Sequence, residues 1–273
     1  HFTTTGQTSA ATSEAARIAA IIMSRYPDAW PETIRGLIVH SCRWTRQMTQ
    51  RFDGADNATV ESLLRCYGYG VPSLSRALES AKNSLTLIAQ DHLFPFEGED
   101  TKEMAIHEIP WPKKVLQNMG ETPVRLRVSL SYFIESNPAR RGWRTRHRYA
   151  SHGLRFDVKT PIESLSDFKK RVNKLALADG EKAQSKSDAG DWVIGPTLRH
   201  KGSIHSDIWT GTAAALADRG YIAVYPVIGW WRERHQLGRW KNGARYSLII
   251  SIETARTDID LYIPVANLVG IPI

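Results

Sequence analysis

A threonine and a serine, Thr8 and Ser9, stand directly before the run Ala10–Ser24, which is rich in alanine and isoleucine. Such a run predicts a helix that is apolar nearly all round and belongs inside a large core. The first N–H groups of a helix have no intrahelical acceptor, and its dipole favours negative charge at that end. A serine hydroxyl placed there has two natural uses. It can cap the helix, or it can attack a carbonyl whose developing oxyanion the free N–H groups receive. Position alone leaves both open, and the second use needs a base.

Other groups with chemical potential read as structural. "HKGSIHSDIW" brings His200, His205 and Asp207 close in sequence, but their spacing matches no helical histidine pair or zinc motif. Gly202 and Ser203 within it predict a turn and the start of a strand. Asp258 and Asp260 in "RTDIDLY" alternate onto one strand face and read as a solvated strand end. Cys42 and Cys66 are too few for a disulfide framework or a zinc site, which leans toward a reducing, cytoplasmic compartment. No cofactor or metal is called for.

The chain carries a net charge of +8, much of it clustered. Arg140, Arg141, Arg144, Arg146 and Arg148 crowd "NPARRGWRTRHRY", and "GWWRERHQLGRWKNGARY" interleaves Arg232, Arg234, Arg239, Lys241 and Arg245 with Trp230, Trp231 and Trp240. Charge among aromatics suits single-stranded nucleic acid. Without a recognisable binding motif, the preferred reading is two solvated loops with tryptophans packed beneath arginine stems. Trp143, Trp209, Trp230 and Trp231 are alternative sugar platforms in a binding module for protein, nucleic acid or carbohydrate. No apolar run approaches the roughly 18 residues of a membrane span.

The elements that would position these groups change rhythm along the chain. Pro31 and Glu32 open a helix from about Pro31 to Ser41, and Leu74, Ala77, Leu78 and Ala81 share the face of another. From about residue 100 the period becomes two. In "TPVRLRVSLSYF", Val124, Leu126, Val128, Leu130 and Tyr132 alternate with Arg125, Arg127, Ser129 and Ser131, predicting a half-buried antiparallel strand. "MAIHEIPW", "GLRFDVK", "YIAVYPVIGWW" and "RYSLIISIET" predict further strands, with Pro226 marking an edge or bulge. Residues 176–191 predict a polar, mobile insertion. The expected architecture is a mainly helical portion over 1–95 and an accessory antiparallel β-sandwich over 96–273.

"TSAAT" leading into the apolar helix, then "YPDAWPETIRGLIVHSC", then "YGYGVPSLSRALESA" resembles the last third of a subtilisin-like serine protease (subtilase, peptidase S8) domain. Thr8, Ser9 and Ala11 match the Thr, Ser and Ala of that family's Gly-Thr-Ser-x-Ala nucleophile motif, and Tyr67-Gly68-Tyr69-Gly70 matches a later landmark. Gln7 interrupts the motif between Gly6 and Thr8, and Ser13 stands where the family often has proline. The resemblance covers about residues 1–90, and the following region looks like the β-domain appended to some large bacterial subtilases. It implies an α/β catalytic domain, peptide-bond hydrolysis with Ser9 as nucleophile, and a polypeptide substrate. An AAA-type ATPase partner is also implied for some subtilases of this look.

In the family the order is Asp, His, Ser, with an oxyanion Asn also upstream. The resemblance therefore implies that these three precede His1 and that 1–273 alone is inactive. His152 in "SHG" follows Ser9 and lies in strand-like sequence, so it reads as structural, and His1 lacks the family's flanking residues.

Overall fold

A computed structural model of the chain describes residues 6–52, 56–78, 84–138, 148–177, 191–256 and 258–261. Five helices come first: α1 (Gln7–Arg25), α2 (Pro31–Ser41), α3 (Arg46–Thr49), α4 (Asn57–Tyr67) and α5 (Leu74–Leu78). Then follow β1 (Ser84–Leu93), the small hairpin β2 (Phe96–Glu97) and β3 (Asp100–Thr101), β4 (Ala105–Glu108), α6 (Lys113–Met119), β5 (Pro123–Tyr132) and β6 (Gly153–Val158). The last described elements are α7 (Leu165–Leu177), α8 (Gly195–Arg199), β7 (Ile204–Thr212), α9 (Ala213–Ala217), β8 (Tyr221–Val227), α10 (Trp230–Glu233) and β9 (Ala244–Thr254).

Two antiparallel sheets carry the core, one in the order β1-β9-β5-β7 and one in the order β4-β8-β6. Strand alternation sends Leu126, Val128 and Leu130 of β5 and Leu248 and Ile250 of β9 to one side. There they meet Leu154 and Phe156 of β6 and Ile222 and Val224 of β8 in one buried cluster. The opposite face of β8, with Ala223 and Tyr225, is covered by Phe168, Val172 and Ala176 of α7. The opposite face of the four-stranded sheet is covered by α2. Helices thus lie outside both sheets.

The second half is therefore mixed α/β with antiparallel sheets, not all-β as expected. The reason is that the outer sheet faces carry side chains that need cover, and helices supply it. The first half also ends differently. "SLTLIAQDHL" alternates Leu85, Leu87 and Ala89 toward the core and forms β1, which lies before the expected boundary at residue 95 and pairs along its whole length with β9. Pro226 sits in the central strand of its sheet, opposite Leu154, but β4 pairs with β8 only up to Val224. The proline therefore lies where one neighbour has already ended, as its missing N–H requires.

The expected burial of α1 is corrected. Only Ile18 and Ile22 are buried, against Ile34, Leu37, Ala77 and Ile249. Ala11, Ala15, Ala16, Ala20 and Met23 are exposed, because among the described elements α1 packs chiefly on α2 and α5.

Helix α2 is held on its sheet by polar contacts as well as by the apolar packing of Ile34 and Leu37 with Ile249. At its start, the Trp30 N–H and the Thr33 hydroxyl both donate to Gln90 Oε1 of β1 at 2.6 Å. Midway, Gly36 faces Ile249 and Ser131, close enough that a Cβ there would press on both side chains. Near its end, His40 lies between two serines of the sheet, with Nδ1 2.8 Å from Ser129 Oγ and Nε2 2.9 Å from Ser251 Oγ. Ser129 in turn donates to Ser206 of β7 at 2.7 Å. Arg127 Nη1 donates to the His40 and Cys42 carbonyls, each at 2.5 Å.

Candidate active site

Ser9 is the third residue of α1, and it is exposed. The N-cap position is filled by Gly6 in extended conformation, which makes no side-chain cap, so the capping reading of Ser9 is corrected. Gln7 has φ 69°, in the left-handed region that non-glycine residues seldom adopt. This strained residue sits where the resemblance placed an interruption. The Thr12 hydroxyl donates to the Thr8 carbonyl at 2.8 Å and the Ser13 hydroxyl to the Ser9 carbonyl at 3.1 Å, which pins the first turn from below. No acidic residue stands in that turn, so none of its own side chains offsets the positive end of the dipole. The serine is thus exposed at a helix start.

No base accompanies it among the described residues. His40 is buried between Ser129 and Ser251, and burial, followed by the Arg127 and Arg43 charges, holds its pKa well below the usual imidazole value. His107 Nε2 lies 2.7 Å from the Tyr246 hydroxyl. His152 is 2% exposed, its ring between those of Tyr132 and Trp231, in keeping with the structural reading. His1 lies outside the described residues.

The remaining candidates are placed as structural groups. Asp207 is buried on β7 and accepts from the Ile194 N–H at 2.9 Å, the Gly195 N–H at 3.0 Å and Arg199 Nη1 at 3.3 Å. Arg199 lies over the Phe156 and Trp192 rings, so Asp207 anchors a loop and an arginine instead of a metal. Among the described residues no group of three metal-ligating side chains converges. Asp258 is exposed and pairs with Arg256, beyond the end of β9. Cys42 is buried and Cys66 exposed, both free.

Arg140, Arg141, Trp143, Arg144 and Arg146 fall outside the described residues, as does most of the expected insertion, 178–190. The second basic cluster is tied into the fold. Arg234 donates to Asn137 at 3.1 Å, Arg245 to Glu32 at 3.1 Å, and the Lys241 ammonium lies over the Trp240 ring. Trp209, Trp230 and Trp231 are buried, which removes them as exposed stacking platforms. Their indole N–H groups are used internally, those of Trp230 and Trp231 on the Glu135 carbonyl and carboxylate at 3.0 Å.

Sequence reasoning missed the polar seam beneath α2. The alternation of Arg125, Arg127, Ser129 and Ser131 signalled a polar strand face, but Arg127, Ser129 and Ser131 prove to be buried, not solvated. Gly36 and His40, four positions apart on "PETIRGLIVHSC" and so on one helix face, were the sign of what covers them.

Residues 1–70, spanning α1 to α4, match the model of the subtilase family, peptidase S8. This part of the chain is a subtilase-like region. The uncharacterized protein y4bN of Sinorhizobium fredii (strain NBRC 101917 / NGR234) is 27% identical over 212 residues, covering 77% of this chain and 45% of that protein. The chain thus spans less than half the length of this curated relative.

Proposed function

We propose that the chain is part of a subtilisin-like serine endopeptidase in which Ser9 attacks the peptide carbonyl of a polypeptide substrate. The observation that carries this reading is the subtilase match over residues 1–70, with Ser9 exposed in the first turn of α1. In the reaction, a histidine takes the Ser9 proton as Oγ bonds to the carbonyl carbon. It then passes that proton to the leaving amine. Free N–H groups of the first turn receive the oxyanion. The histidine, its orienting aspartate and an oxyanion asparagine come from residues of the protein outside 1–273. The two-sheet body, β1 included, acts as an accessory β-domain.

The test is labelling with a serine-directed fluorophosphonate and hydrolysis of casein, on 1–273 and on the full-length protein. Residues 1–273 alone should do neither, since an unactivated serine is a weak nucleophile. The full-length protein should do both, and Ser9→Ala should abolish both. Activity that survives Ser9→Ala overturns the assignment.

A further inference from the structure

A cavity of about 440 Å³ opens at one end of the facing sheets, away from Ser9 in sequence and built by different elements. Its walls come from the end of β5, the start of β6, the turn before β7 and the end of β8. Tyr132, Tyr149, Ile134, Leu154, Val227 and Ile228 make it largely apolar and aromatic, the usual character of a small-molecule pocket. Tyr149 is exposed, so the cavity meets solvent at that ring. His152, Arg155, His200, Ser203 and His205 also line it, and among the described residues no carboxylate does.

Most of these polar groups are already used within the fold. Arg155 is engaged there, with the Tyr225 and Tyr132 phenols beside its charge. His200 Nε2 accepts from Arg199 Nε at 3.4 Å, and the same ring bonds the Phe156 backbone. Ser203 Oγ accepts from Arg35 Nη1 at 3.3 Å, and the Tyr132 hydroxyl donates to the Gly202 carbonyl at 3.1 Å. That leaves His205 Nδ1 and His152 Nε2, buried atoms with no partner among the described residues.

The protonation of each ring follows from the bond on its other side. His205 Nε2 lies 3.1 Å from the Gly202 carbonyl, which only accepts, so Nε2 carries the proton and Nδ1 is an acceptor. Ser151 Oγ accepts the Glu135 N–H at 2.9 Å. Among the described residues its own hydrogen finds an acceptor at His152 Nδ1, 3.0 Å away, so the proton of His152 is on Nε2. Burial holds His205 near a pKa of about 3 and His152 near about 4, so both are neutral at pH 7. The wall thus offers one unmet acceptor and one unmet donor, on uncharged rings whose centroids lie 5.7 Å and 5.6 Å from that of Tyr132.

Buried polar atoms left unpaired are costly, and in native proteins they mark a missing water, ion or ligand group. An anion would satisfy the His152 donor but set its charge against the His205 lone pair, and a cation would find no acid in the wall. A hydroxyl suits both atoms, because it donates and accepts at once. Around it, the aromatic and aliphatic walls favour a flat apolar body. We propose that this cavity binds a small neutral phenol, its hydroxyl donating to His205 Nδ1 and accepting from His152 Nε2. The site is independent of the peptidase reading and stands whether or not Ser9 is a nucleophile.

The experiment is calorimetric titration of the whole 1–273 chain with p-cresol. Toluene, which lacks the hydroxyl, anisole, which accepts but cannot donate, and benzoate, which is charged, serve as comparisons. The p-cresol should saturate a single site and bind about tenfold or more tighter than any of the three. His205→Phe keeps a ring but removes the acceptor, and it should weaken p-cresol about tenfold while leaving the far-ultraviolet circular dichroism unchanged. Because that variant can also lose its fold, imidazole ¹⁵N shifts of the unaltered protein provide the second measurement. The His205 Nδ1 resonance should move on adding p-cresol and stay in place on adding toluene. No saturable binding of p-cresol, equal binding of toluene, anisole or benzoate, or an unmoved His205 resonance overturns the proposal.

Discussion

Gly36 of α2 lies so close to Ile249 of β9 that a Cβ on the glycine would stand 2.7 Å from Ile249 Cδ1 and 3.3 Å from Ser131 Cβ. Ile249 is fully buried, so its side chain has little room to yield. Gly36→Val should therefore cost about 1–3 kcal/mol by overpacking. Gly36→Ala should cost less, because alanine regains about 1 kcal/mol of helix propensity. Urea unfolding of the two variants reads the difference, and a valine variant as stable as the original would show that α2 does not sit this close.

Arg127 should prove more important for its donors than for its charge. One nitrogen, Nη1, serves both the His40 and Cys42 carbonyls at the end of α2, where the negative end of the dipole also welcomes a cation. Arg127→Met removes those bonds from a buried site and should cost about 1–3 kcal/mol. Arg127→Lys should retain part of that, since an ammonium can also donate to both carbonyls. The denaturation midpoints of the two variants, compared with the parent, test the ranking.

Gln7 should be a site where glycine stabilises. Its left-handed φ of 69° costs a residue with a Cβ about 1–2 kcal/mol, and glycine adopts it freely. Gln7→Gly should raise the thermal midpoint, and Gln7→Val, with a branched side chain, should lower it. If both lower it, the turn is not strained in solution.

Stability should fall on mild acidification. His152 and His205 have folded-state pKa values of about 4 and about 3, depressed by burial, against about 6.5 for an unfolded histidine. Between those limits the unfolded chain binds more protons than the folded one, so stability declines as pH drops. The plateau should lie above about pH 6.5, with a progressive loss toward pH 4. His40, buried and shifted in the same direction, adds to the effect. Urea titrations at pH 7.5, 6, 5 and 4 measure it, and a midpoint that does not move across that range would contradict the burial of these imidazoles.

Much of the sheet body was legible because alternation is a local signal. Val124 to Tyr132 and Arg245 to Thr254 announce strands in their own residues, and β5 and β9 appear there. The helical period likewise located α2 within a residue or two. What stayed hidden depended on partners far away in sequence. β1 alternates as cleanly as β5, but its place after the α5 helix made it read as part of a helical region. Ser129 and Ser131 looked like solvent-facing residues because the histidine and glycine that cover them are about 90 positions earlier. Ser9 was found from its motif, while His205 was set aside for lack of metal spacing and His152 because it follows Ser9 in strand-like sequence. Their significance lies in which nitrogen is left unpaired, and no spacing reports that.

The link from His40 to Ser251 spans almost the whole chain, as does the pairing of β1 with β9. During synthesis, α1 and α2 leave the ribosome long before β9 exists, and α2 has no finished surface to lie on until that last long strand arrives. The contacts that α2 makes with β9 therefore form only after residues 244–254 have been made. A chain interrupted before residue 244 would carry Ser9 with its supporting helix undocked. The docking of α2, and through it of the serine's helix, thus depends on a strand met 211 positions further along at the His40–Ser251 contact.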